Sequence, residues 1–133
     1  MATFGRRQQV EKAEGLLDEL RSLQRVFPED SAIAGSFASG LLNAVADCSH
    51  RQQMENVEVL LNELRSLHSA FPEQPNVTGY LAFGMLNAIR AYRKRQQIEK
   101  VGEISADLVL IIENYPRLRE HPFFDEILRG YKS

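Results

Sequence analysis

The chain has 133 residues, 44% hydrophobic and 26% charged, which suits one globular domain with its own core and excludes disordered and fibrous classes. Sixteen basic against eighteen acidic side chains leave a net charge of -2, so there is no global attraction to nucleic acid or to an anionic membrane. The single cysteine, Cys48, excludes an internal disulfide framework and a cysteine-rich zinc site.

In chain order, the first predicted helix is amphipathic and covers about 8–26, without a buried helix before it. The second, about 31–48, is rich in small residues: Ala32, Ala34, Gly35, Ala38, Gly40, Ala44 and Ala46. The third carries Met54, Val57, Leu60, Leu61, Leu64, Leu67 and Phe71 at helical spacing, one apolar stripe of an amphipathic helix. Its other side, Glu55, Glu58, Asn62, Glu63, Arg65 and Ser66, reads as solvated. Pro72 ends it, because the residue before a proline is pushed out of the helical region.

The fourth segment, about 76–92, is apolar nearly all round, as in a helix buried between neighbours. A fifth runs over about 95–114. A short sixth begins at His121-Pro122, its apolar side formed by Phe123, Phe124, Ile127, Leu128 and Tyr131, and reads as a cap. The sequence thus predicts six helices and no strand, with turns near 27–31, 49–52, 71–75 and 93–96.

Sliding the sequence against itself reveals its organisation. At an offset of 44, Arg7-Gln8-Gln9 lands on Arg51-Gln52-Gln53 and then on Arg95-Gln96-Gln97. Leu16-Leu17, Glu19-Leu20-Arg21-Ser22-Leu23 and Phe27-Pro28-Glu29 recur 44 residues on, as do Gly40 and Leu42-Asn43-Ala44. Between 7–50 and 51–94, 21 of 44 positions are identical. A single domain, 1–133, is therefore read as repeats of about 7–50, 51–94 and 95–133, each an amphipathic helix followed by a more buried one. Glycine costs about 1 kcal/mol of helix propensity, so a recurring glycine points to close helix approach.

Tyr80-x-x-Phe83-Gly84-x-x-Asn87, closed by Pro72 or Pro116 on the partner helices, resembles the tetratricopeptide-like α-solenoids. The period departs from theirs: it is 44 rather than about 34, Asn87 replaces an aromatic, and Ser36-x-x-Ser39-Gly40-x-x-Asn43 keeps only the glycine. HEAT- and armadillo-like stacks, at about 40–47 residues per repeat, compete. The resemblance implies an all-α fold, antiparallel helix pairs stacked as a short α-solenoid. It also implies a concave side lined by the first helix of each pair. On matching positions that side holds Phe37, Leu41, Asn43, Val45, Leu81, Met85, Asn87 and Ile89, a partner-binding face for a protein, a peptide or a second copy of the chain.

Other chemistry is sparse. His50, His68 and His121 form no helical pair with another ligand and read as surface or capping residues, so neither metal nor cofactor is expected. Cys48 reads as a buried thiol without a base aimed at it, and no nucleophile–base pair marks an enzyme. Asn43 and Asn87 lie within apolar helices, where an amide needs partners. It would find them in an interhelical hydrogen bond or in the backbone of a bound peptide. Arg51, Arg90, Arg93, Lys94 and Arg95 form a basic rim, the basis of the alternative reading as a nucleic-acid-associated accessory protein. Against it stand the net charge, the absence of tryptophan and the neighbouring glutamates. With no secretory signal and no apolar run near the ~20 residues needed to cross a bilayer, the expected setting is cytoplasmic and away from membranes.

Overall fold

The computed structural model describes residues 2–120 together with 122 and 124. It contains α1 (Ala2–Val26), α2 (Ser31–His50), α3 (Met54–Ala70), α4 (Pro75–Lys94), α5 (Ile98–Asn114) and a 3-10 segment, Pro116–Glu120. Among the described residues there is no strand, and no helix is long and apolar enough to cross a membrane. The sixth, capping helix lies largely outside them. Of its predicted apolar side, Phe124 is described: it is fully buried, its ring centroid 5.1 Å from that of Phe83.

The helix ends follow from local chemistry. Asp30 caps α2, its Oδ1 accepting from the backbone N–H of Ala32 and Ile33 at 2.9 and 3.1 Å. Pro75 opens α4, at a position where a missing N–H costs nothing. The repeated Arg-Gln-Gln is a helix stop. Gln52 and Gln96 both stand at φ 59°, in the left-handed region. Gln53 N–H then donates to Cys48 O at 2.8 Å, and Gln97 N–H to Tyr92 O at 3.0 Å, closing the same wrap of chain in both copies.

α2 packs against α1, α3 and α4; α4 packs against α2, α3 and α5. The contacts leave α4 buried along most of its circumference, as its composition predicts. The apolar stripe of α3 is also borne out, with Val57, Leu60, Leu61, Leu64 and Leu67 all in the core. Two glycines admit these contacts at matching positions. A Cβ on Gly40 would stand 3.2 and 3.4 Å from the Cδ1 atoms of Leu17 and Leu20. One on Gly84 would stand 3.1 and 3.5 Å from those of Leu64 and Leu61. Each glycine lets a pair of leucines from the preceding helix lie directly on the backbone.

The polar side of α3 is more than a solvated face, and here the sequence reading needs correction. Arg21 on α1 grips Glu63 with two parallel N–H···O bonds, Nε to Oε2 at 2.8 Å and Nη2 to Oε1 at 2.9 Å. Arg65 on α3 reaches Asp107 on α5 at 3.2 Å, and Lys100 on α5 pairs with Glu58. Arg21 and Arg65 are 44 residues apart, as are Glu63 and Asp107. One ion pair therefore recurs between consecutive odd-numbered helices.

Candidate functional site

The face expected to bind a partner is already occupied. Phe37, Leu41, Val45, Leu81, Met85 and Ile89 are all buried in the core, packed among this chain's own helices. Their apolar surface satisfies the fold and presents nothing to a partner or to a second copy. The error has a physical source: on a helix apolar nearly all round, composition does not say which stripe faces outward.

Asn43 and Asn87 are the two of the eight that reach the surface, Asn43 exposed and Asn87 half-buried. Among the described residues neither amide makes a hydrogen bond, so they do not fix helix register by bonding across an interface. Asn43 lines a cleft between α1 and α2.

The basic rim is real as a location. Arg95 Nη1 donates to Gln52 Oε1 at 3.2 Å, which sets the 51–53 and 95–97 turns side by side. Arg51 is neutralised by Asp47, Nη2 to Oδ2 at 2.8 Å, while Arg93 and Lys94 are exposed beside it. That pairing reduces the field available to a phosphate.

The nucleophile candidates are enclosed. Cys48 is buried, and desolvation, with Asp47 nearby, pushes its thiol above the ordinary range, away from the reactive thiolate. His68 Nδ1 lies 3.2 Å from Thr78 Oγ1, and its ring meets that of Tyr115 edge-on at 5.7 Å. Thr78 is buried, so no substrate can reach its hydroxyl. Burial holds His68 below the usual histidine range. Tyr115 O–H donates to Pro72 O at 2.6 Å, and the cluster braces α5 against the end of α3. Among the described residues no group of three His, Cys, Asp or Glu side chains could hold a metal ion.

A different surface emerges on comparing the repeats position by position. Leu16 is 60% exposed, whereas its counterparts Leu60 and Ile104 are 9% and 5% exposed. Leu23 is 43% exposed against 4% for Leu67. Phe27 is exposed where Phe71 and Tyr115 are half-buried. α3 has α2 packed on it, but no described helix precedes α1 to do the same for Leu16 and Leu23. The result is an apolar edge continuous with the α1–α2 cleft, about 330 Å³, whose lining includes Leu16, Leu17, Leu20 and Gly40. No family model, curated protein or solved structure matches this chain.

The edge was legible in one respect: the first predicted helix lacked a buried partner before it. What the sequence hid was the consequence, because Leu16 and Leu60 sit in nearly the same local sequence. Chemically the edge can bury apolar surface and accept hydrogen bonds, but it holds no group able to make or break a covalent bond.

Proposed function

We propose that the chain is a non-enzymatic protein-interaction module. It is read as a short α-solenoid of tetratricopeptide-like helix pairs, binding its partner through the open edge of α1 and the adjoining cleft. One observation carries this reading: leucines buried in later repeats stand exposed in the first. Contiguous apolar surface of this kind marks interaction sites in soluble proteins. The recurrence of ion pairs and leucine–glycine contacts at a spacing of 44 supports the stacked-pair reading, and stacks of this type offer extended surfaces for proteins and peptides.

The test is affinity capture from native extract, comparing wild type with a Leu16→Glu/Leu23→Glu variant. Both positions are exposed, so the variant should keep its helical circular dichroism while losing the captured partners. An unchanged set of partners on the folded variant overturns the reading.

A further inference from the structure

We infer that the α1–α2 cleft receives a basic amphipathic α-helix of another protein, with leucines on its buried stripe and Lys or Arg along its flanks. The inference rests on the interaction-module reading and adds the chemistry of the partner. Its basis is a template inside the molecule.

The second repeat carries the same cleft in an occupied state. There α2 lies against both α3 and α4, and Leu42 Cδ1 comes to 4.0 Å from where a Cβ on Gly84 would stand. At Gly40 the two leucines of α1 take the places of Leu61 and Leu64, but nothing stands where Leu42 does. The open position therefore has the shape of a helix bearing a leucine, lying as α2 lies on its neighbours.

Charge decides between a foreign helix and a second copy. The cleft lining holds Glu14 and Asp47 and no lysine or arginine. Glu19 stands where Glu63 and Asp107 each hold an arginine from the preceding odd-numbered helix, and among the described residues it has no such partner. Two copies meeting at this end would oppose carboxylate to carboxylate. Nor does a second copy have a matching helix to offer among the described residues, because the equivalent surface of α4 is buried. A cationic helix satisfies both requirements: its leucines fill the space beside Gly40 and its arginine or lysine meets Glu19.

The probes are two designed helical peptides of roughly 20 residues, long enough to span the cleft. They share one leucine stripe; one carries Lys and Arg on its flanks, the other Glu. Binding to the full chain is read by fluorescence anisotropy, with sedimentation to report self-association. The basic peptide should bind at least tenfold more tightly than the acidic twin and weaken as salt rises. Leu16→Glu and Glu19→Lys should each reduce its binding at least fivefold, while Leu110→Glu, at an exposed leucine on α5, should not change it.

Equal binding of the two peptides, no binding, or equal loss with Leu110→Glu overturns the inference. So does a wild-type dimer that Leu16→Glu dissociates. If Leu16→Glu abolishes capture of native partners yet the basic peptide shows no preference, the basic-helix assignment fails and the module reading stands. If capture is untouched, the module reading fails first.

Discussion

The first and second repeats share almost half their residues and nearly all their leucines, yet they occupy opposite physical situations. α3 is enclosed on one side by α2 and anchored on its polar side by Arg21. α1 has no described helix on the corresponding side, so the same side chains that build a core in one copy form a surface in the other. A repeat unit therefore does not carry its own burial. Its neighbours confer it, and a stack must leave one such surface at each end unless something covers it.

Paired substitutions can break or sharpen this contrast. The largest expected effect is at Leu60. Leu60→Ala should cost about 2–4 kcal/mol in denaturant unfolding, as for a buried leucine, while Leu16→Ala should cost no more than about 0.5 kcal/mol. Equal costs would mean that Leu16 is covered in the free protein.

Next comes the arginine pair. Arg21 is half-buried, doubly bonded to Glu63, and its guanidinium carbon lies 5.8 Å from the Phe37 ring centroid. Arg65 makes a single, more exposed contact with Asp107. Arg21→Ala should therefore cost about 1–2 kcal/mol and Arg65→Ala no more than about 0.5 kcal/mol, read as shifts in unfolding midpoint.

Acidity should also act on the second repeat alone, because His68 occupies the place that Gln24 holds in the first. With its folded-state affinity for protons lowered by burial, His68 resists a proton that the unfolded chain accepts. Stability is thus unaffected well above pH 6.5, the ordinary histidine value, and falls as the pH drops below it. Thermal melts at pH 7.5 and 5.5 should show the loss, and His68→Gln should diminish it.

The smallest effect is stabilising. Gln96→Gly removes a left-handed non-glycine residue and should add about 0.5–1 kcal/mol, seen as a raised melting temperature.

Much of the fold was written in the sequence. Helix boundaries were marked by Pro72, Pro75 and the Arg-Gln-Gln stops. The stripe from Val57 to Leu67 declared the buried side of α3, since periodicity is a property of neighbouring residues alone. The binding face was misread because Leu41 and Asn43 differ in exposure through the placement of α3, α4 and α1, which local sequence does not encode. Arg21 and Glu63 gave no local sign of pairing either, being 42 residues apart in the chain.

That separation of 42 has a consequence for chain length. Each arginine pairs with an acid in the following unit, and each glycine receives leucines from its own unit. A copy of 51–94 inserted after Lys94 would therefore meet every requirement at both of its boundaries. Its glutamate would take Arg65, its own arginine would take Asp107, and Leu86 would stand beside the new glycine as Leu42 stands beside Gly84. The molecule can grow by whole units without redesigning a single contact, and its reach is set by how many it contains.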